Sequence, residues 1–394
     1  MKRLYDLVRL NFAIYPGIVD FRSAAFLDPY YARMRRGQGP LRIAFNALFY
    51  AAFRLFIVLR ARKVARKWGW SKPRRVEAVR ICLSRFADPG DVALYDIRGE
   101  SDFDTVMRRF EHVGVSRAIA NPATDHDPAI TDKGEFYRVC AHAGLPHPRV
   151  LAERSDKDGW KIFQRPEAGP FLLKPIRGSG GAGIELIAAQ PDDLEPTGFL
   201  RMLEETKTTG GWIAQDLLRP HPDIADIALD ALPTSRITTI LDERGKPELV
   251  TAVLRLAAQP GVIVDNAHAG GIFSAIDFET GELGLAKYAT APGEFDRHPA
   301  NDRPITGRRI PDWPALRRLA LEVHGDHFPA HVQIGWDVAP SDRGPMLIEA
   351  NARPNVRVPQ RATGLGIGAT RHGELIRYHL ENRTAAGRRF LTEA

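Results

Sequence analysis

Ile334-Gly-Trp-Asp-Val-Ala339, followed by Leu347-Ile-Glu-Ala-Asn351, decides how the chain reads. The first run sets a single carboxylate, Asp337, in an apolar strand-like stretch. The second places Glu349 and Asn351 two residues apart, so on a strand their side-chain oxygens share one face. Two adjacent antiparallel strands of this kind gather three hard oxygen ligands at one spot. A donor set of carboxylate and amide oxygens, without nitrogen or sulfur, suits Mg²⁺. Strands often end in acidic residues, so the weight of the pattern comes from what lies upstream.

Upstream stands Phe171-Leu-Leu-Lys-Pro-Ile-Arg-Gly-Ser-Gly-Gly-Ala-Gly-Ile184. A short apolar run delivers Lys174, and four glycines and a serine then fall between Gly178 and Gly183. Glycines let successive backbone N–H groups converge on an anion with no Cβ in the way. The spacing is neither that of a Walker A loop nor that of GxGxxG opening a helix. A lysine before the loop and an apolar strand after it read as a hairpin folding over phosphates. Further upstream, Thr131-Asp-Lys-Gly-Glu-Phe-Tyr-Arg-Val-Cys-Ala-His-Ala-Gly-Leu-Pro146 reads as a helix. Thr131 or Asp132 caps it, Phe136, Val139, Cys140 and Ala143 recur at helical spacing, and Gly144 stops it.

Taken together, Asp132-Lys133, Gly144-Leu-Pro146, Lys174-Pro with its glycine loop, Asp337 and Glu349-x-Asn351 resemble the ATP-grasp superfamily. Their order and spacing are similar to those of D-alanine–D-alanine ligases. Further details are closer to the sugar-transfer-associated ATP-grasp proteins: Phe136, Gln215 with His221-Pro222, Thr234-x-Arg236-x-Thr238, Val264-Asp-Asn266 with Gly270-Gly271, and Ile334–Ala339. The resemblance runs from about residue 80 to about 370. It implies an α/β (α+β) ATP-grasp fold with ATP between a lid at 131–210 and a larger metal-bearing unit at 211–380. Lys133 and Lys174 would contact the phosphates under a loop of Gly178, Ser179, Gly180, Gly181 and Gly183. Ile213–Leu217 would read adenine, with Gln215 facing the amino group and Asp216 and Leu217 beside it. Asp223, with Asp226 as the alternative, would meet the ribose. Asp337, Glu349 and Asn351 would hold one or two Mg²⁺ ions, with Mn²⁺ as a substitute.

One position departs from the D-alanine ligase pattern. Those enzymes carry an arginine two residues before the metal aspartate, where this chain has Gly335. The charge over the reacting group must come from elsewhere, and Arg236, Arg255 and Arg353 are the candidates, Arg236 first. Asn266 and His268, beside a Gly-Gly turn, are further candidates for the γ-phosphate or the acceptor.

The two cysteines, Cys82 and Cys140, sit in apolar contexts with no metal or disulfide spacing, which favours a reducing, cytoplasmic setting. Met1–Ala25 shows no compact apolar core of a secretory signal. The charge is unevenly spread. Residues 1–75 hold 17 Lys/Arg against 3 Asp/Glu, a net of +14, while the remainder nets −7. Within this basic extension Leu41–Leu59 is nearly all apolar, with Arg42, Asn46, Tyr50 and Arg54 in a narrow stripe. Arg60 to Arg75 then adds eight basic residues with Trp68 and Trp70 among them. Internal arginines argue against a spanning helix. The pattern suits a peripheral contact with an anionic membrane surface, or equally a helix packed on the body or on a second subunit in a homodimer. No groove-reading nucleic-acid motif accompanies the charge.

Residues 76–130, with short apolar runs at Val79–Leu83 and Asp91–Tyr95 and helical spacing over Phe103–Val113, read as a small α/β unit, and 381–394 as a tail. The resemblance implies a ligase: ATP phosphorylates a small-molecule carboxylate, and an amine displaces phosphate to give an amide. The family's association suggests polysaccharide or sugar-conjugate synthesis. A kinase on the same scaffold and a nucleotide-binding accessory protein of a glycan-assembly complex are the alternatives.

Overall fold

The computed structural model describes residues 24–36, 39–108, 111–124, 126–166, 169–178, 181, 183–188, 195–206, 208–265 and 270–389. Two antiparallel sheets dominate. The smaller has strands β1 (Val150–Ser155), β2 (Gly159–Ile162), β3 (Phe171–Pro175), β4 (Glu185–Ile187) and β5 (Trp212–Asp216), in the order β2-β1-β5-β3-β4. The larger has β6 (Thr234–Leu241), β7 (Pro247–Leu256), β8 (Ile272–Ile276), β9 (Leu283–Tyr288), β10 (Glu294–Phe295), β11 (Gln333–Ser341) and β12 (Gly344–Asn351). Its order is β10-β9-β8-β7-β6-β11-β12.

The alternation of β11 explains why its residues are so unlike one another. Ile334, Trp336 and Val338 enter the main core, where Leu316, Ala320 and Val323 of the Trp313–His327 helix cover the sheet. Gly335 and Asp337 therefore take the opposite face. The indole N–H of Trp336 donates to Thr239 Oγ1 (2.9 Å), and that hydroxyl contacts His324 Nδ1 at 2.7 Å. His324 Nε2 lies 2.8 Å from the His331 carbonyl. Burial pulls the His324 imidazole down to about 4, so it stays neutral and satisfies both ends of this chain.

The sequence reading needs correction in three places. Residues 212–216 sit in the middle of the smaller sheet, so the lid does not end at 210. The stretch 76–130 shows helices only, among its described residues. Val79–Leu83 lies inside the Lys72–Arg85 helix, whose buried positions Ala78, Ile81, Cys82 and Arg85 follow a helical period, and Asp91–Tyr95 falls on the Pro89–Leu94 helix and its cap. Short, mostly apolar runs of five residues fit either element, and here burial follows the 3.6-residue period. The described part of the basic extension, from residue 24, packs on the body, one of the two alternatives left open for its helix. Residues 1–23 lie outside the described residues. Phe26, Leu27, Tyr30 and Tyr31 are buried against Ile240, Val332, Leu375, Ile376 and Leu380. Arg108 donates to the Tyr31 hydroxyl (2.7 Å) and pairs with Glu111, which Tyr31 also reaches. The helix Pro40–Trp68, ended by Gly69 at φ +64°, buries Phe53 and Ile57 against Ile81, Cys82 and Phe86. The last helix continues through 381–389, so that part of the expected tail is helical.

Candidate active site

The cleft between the two sheets, about 550 Å³ in volume, takes its walls from both. Leu172 and Lys174 of β3 and Gln215 of β5 come from the smaller sheet. Arg236 of β6, Arg255 of β7, Asp337 of β11 and Glu349 and Asn351 of β12 come from the larger. Gly181, Leu217 and Arg353 also line it.

Asp132 caps the Lys133–His142 helix by accepting the Gly134 and Glu135 N–H groups, which fixes Lys133 in its first turn. Lys133 Nζ donates to the Gly178 carbonyl (3.1 Å) and stands 3.9 Å from Glu349. One turn on, at the i+4 position, Tyr137 is buried and its hydroxyl accepts from Lys174 Nζ at 2.6 Å. The same hydroxyl lies 2.9 Å from the Ile348 carbonyl and 3.3 Å from Gln215 Oε1, and the Lys174 ammonium stands 4.6 Å from the ring centroid. Burial, with Lys133 nearby, pushes the Lys174 ammonium down to about 7, Glu349 opposing. Tyr137 is held well above its ordinary range by burial.

Strands β3 and β4 form the hairpin that the lysine and the glycines suggest, with Leu173 opposite Glu185. Gly183 takes φ +78°, and a Cβ there would meet Pro175 Cγ at 3.0 Å, so this end of the turn requires glycine. Ser179 and Gly180 lie outside the described residues, as do Asn266 and His268.

On the opposite wall Asp337 is directly across from Glu349, and Gly335 from Asn351. The Asn351 amide nitrogen donates to the Gly335 carbonyl (3.4 Å), which leaves Oδ1 as the atom available to a cation. The wall thus offers two carboxylates and one carboxamide oxygen. That chemistry fits Mg²⁺.

Asp337 is also the hub of a charge network. It accepts from Arg236 at Nε and at Nη2 (3.0 Å) and from Arg255 (2.9 Å). Burial pushes its carboxyl up, but the two guanidiniums overcome that and hold it below the ordinary carboxylate range. Arg255 donates to Thr234 Oγ1 (2.9 Å) and stands 3.5 Å from Asp265, which accepts the Thr234 N–H (2.9 Å). Burial raises the Asp265 carboxyl despite Arg255.

Gly335 has a physical reason. A Cβ at this position would come within 2.8 Å of Pro354 Cβ and 3.5 Å of Arg236 Cδ. Pro354 closes over Gly335, and Arg236, in register with Asp337 on the neighbouring strand, packs beside it. The Arg236 guanidinium reaches Asp337 from the neighbouring strand β6.

Several expected residues sit elsewhere. The Asp216 side chain is committed to Arg149 (2.6 and 3.1 Å) and Arg343 (3.1 Å) and does not line the cleft. Asp223 is exposed beside His221, and Asp226 is paired with Arg308 (2.9 Å). The acidic residue that lines the cleft beyond β5 is Asp230, which accepts the Gly261 N–H at 2.6 Å. Lys133, Gly178 and Gly183 border the cleft through the contacts above. Tyr137, Asp230 and Asp265 were missed from sequence. Tyr137 stands four residues after Lys133 on one helical face, and Asp265 lies inside the Val264-Asp-Asn266 motif. For Asp230 no local signal exists.

Among solved structures, the fold is similar to D-alanine–D-alanine ligase from Bacillus anthracis complexed with ATP, at 12% identity over 66% of this chain and 67% of that one, TM-score 0.36. It is similar to D-cycloserine synthetase DcsG, at 15% identity over 64% and 70%, TM-score 0.37. It is also similar to N5-carboxyaminoimidazole ribonucleotide synthetase from Thermotoga maritima, at 13% identity and TM-score 0.31, covering 58% of this chain but only 43% of that one. No curated protein matches the chain. Residues 120–372, well over half of the sequence, match the family model described as sugar-transfer associated ATP-grasp, and the chain belongs to that family.

Proposed function

We propose that this protein is an ATP-dependent ligase that joins a small-molecule carboxylate to an amine through an acyl phosphate. The observation that carries the reading is the convergence, on one cleft, of Lys174, the arginines Arg236, Arg255 and Arg353, and the oxygen set Asp337, Glu349 and Asn351. A triphosphate is a polyanion, and a semi-enclosed cleft lined by fixed cations holds it with little reorganisation.

In the first half-reaction a carboxylate oxygen attacks the γ-phosphorus and ADP leaves. In the second, the amine attacks the acyl carbonyl, phosphate departs with the C–O bond electrons, and the amine gives up a proton. Lys133 and Lys174 orient the phosphates, and binding restores the Lys174 proton that burial weakens. Leu172, Leu217 and Gln215 accept the base, and Asp230 is our candidate at the ribose end in place of Asp223. Arg236 and Arg353 neutralise charge that builds on the transferred phosphoryl and acyl oxygens. Asp337, Glu349 and Asn351 would hold Mg²⁺, which supplies charge neutralisation at phosphate oxygens when bound. Neutralising part of the Asp337 charge by Arg236 and Arg255 keeps the nucleotide-free cleft stable.

The family's link with sugar transfer makes sugar acids and amino sugars the first substrates to try, in the setting of polysaccharide or sugar-conjugate assembly. Incubating enzyme, ATP and candidate carboxylates with hydroxylamine in place of the amine tests the reaction class. A hydroxamate and ADP are the expected products. A stable product keeping the γ-phosphate, with no hydroxamate, would move the assignment to a kinase.

A further inference from the structure

The face of the Pro40–Trp68 helix opposite Phe53 and Ile57 carries large apolar side chains that cover nothing. Leu41 is 89% exposed, Leu48 72%, Leu55 64% and Leu59 55%, and Phe56 is exposed beside them. At 100° per residue these positions fall on one side of the helix, and the same stripe continues into Arg62, Lys63 and Arg66, with Lys67 at its edge, all exposed. Between Asp28 and Glu77 the sequence holds thirteen Lys/Arg and no acidic residue. Among the described residues no helix is long and apolar enough to cross a membrane.

We propose that this face is a docking surface for an anionic lipid bilayer, with the helix lying in the interface plane. The apolar stripe from Leu41 to Leu59 is about 27 Å long at 1.5 Å per residue, and it enters the acyl boundary. The arginines and lysines that follow meet anionic headgroups. Charge sign selects this occupant over a second copy of the chain, because an isologous pairing sets basic surface against basic surface across a helix with no acidic residue to offset it. The inner face already has its partners, so docking needs no unfolding. The helix also ends against the cleft wall. The Trp68 ring lies 5.6 Å from the Arg361 guanidinium, on the Arg357–Thr363 helix whose Val358 and Pro359 line the cleft. A docked protein therefore holds its cleft at a set orientation to the lipid surface.

The test is co-sedimentation of the full chain with phosphatidylcholine vesicles, with and without phosphatidylglycerol. Binding is expected only with phosphatidylglycerol, and it should weaken between about 0.1 M and 1 M salt as the screening length falls from about 10 Å to about 3 Å. Each basic residue near the surface contributes roughly a fivefold gain in partitioning. The quadruple variant Arg62→Gln, Lys63→Gln, Arg66→Gln, Lys67→Gln should therefore bind several hundredfold more weakly. Leu48→Glu with Leu55→Glu should abolish binding. Both variants should melt with wild-type cooperativity and turn over ATP like the parent, because these side chains leave the core and the cleft untouched. No binding to anionic vesicles, or equal binding by both variants, overturns the proposal. So does a dimer in sedimentation equilibrium that dissociates on Leu48→Glu with Leu55→Glu, since that result gives the face to a second copy.

Discussion

Asp337 and Glu349 are both assigned to the cation, yet their replacement should have unequal consequences. The Asp337 side chain is 5% exposed and accepts from two guanidiniums that are each 19% exposed. Asp337→Asn keeps the shape and removes the charge, leaving Arg236 and Arg255 side by side over a neutral amide. Breaking a buried pair in this way costs about 3–5 kcal/mol. Arg255 retains Asp265 at 3.5 Å, and both arginines keep some contact with solvent, so the lower end applies. About 3 kcal/mol is a shift of roughly a hundredfold in the unfolding equilibrium. Glu349 is different: it is 26% exposed and its ion pair with Lys133 is long, at 3.9 Å. Such a pair contributes about 0–1 kcal/mol, so Glu349→Gln should be nearly neutral for stability. Urea unfolding of the metal- and nucleotide-free variants reads the first quantity. The thermal shift on adding Mg²⁺ with a non-hydrolysable ATP analogue reads the second; ligand at a hundred times its Kd stabilises by about 2.7 kcal/mol. Both variants should lose the Mg²⁺-dependent shift and turnover, and only Asp337→Asn should lose stability without ligand. An Asp337→Asn protein as stable as wild type would refute the ion-pair argument. A Glu349→Gln protein with a full Mg²⁺-dependent shift would refute the ligand assignment.

Other expectations follow from the same cleft. Lys174 titrates near 7 when the cleft holds no ligand and is protonated against phosphate, so affinity for the ATP analogue should be flat below that pH. Above it, affinity should fall by up to about tenfold per pH unit, with proton uptake in calorimetry. Lys174→Met should weaken binding and abolish the slope, while Lys133→Met should weaken binding and keep it. Tyr137→Phe removes the acceptor of the Lys174 proton and should move the onset of the slope to lower pH, which the same calorimetric series detects. Gly335→Ala sets a methyl 2.8 Å from Pro354 Cβ and against Arg236; overpacking of this kind costs about 1–3 kcal/mol. It should reduce turnover more than nucleotide affinity, as measured by kcat against Kd.

Much of the cleft was legible because its residues stand on short elements with strong local rules. Strand alternation places Asp337 and Glu349 opposite each other, and an Asp cap fixes Lys133 at a helix start. The glycine run after Lys174 builds a turn that other residues would block at Gly183. What was not legible depends on distant chain. Asp223 is the nearer to β5 in sequence, yet the return of the backbone through Ala225–Ala228 brings the more distant Asp230 to the cleft. Likewise nothing local to Gly335 announces that Pro354 packs so closely over it. The helical character of Val79–Leu83 escaped because a five-residue stretch broken only by Arg80 is too short to show a period. Net charge identified the basic extension, but it could not reveal that Phe26 and Tyr31 lie in the core.

The pairing of β6 with β11 also bears on how the molecule assembles. Arg236 and Asp337 are 101 residues apart, and between them run β7 to β10 and the Trp313–His327 helix. During synthesis, every strand of the larger sheet up to β10 emerges before β11, which pairs the open side of β6. The early product is an open set of strands with β6 as an unpaired edge, the kind of surface that other chains can join. Such non-local closure is slow compared with local helix formation. Nucleotide cannot bind this intermediate, because the wall bearing Asp337 and Glu349 does not yet exist. Recovery of nucleotide binding therefore times the docking of β11 and β12, and co-expressed chaperones should matter more for yield than added ligand.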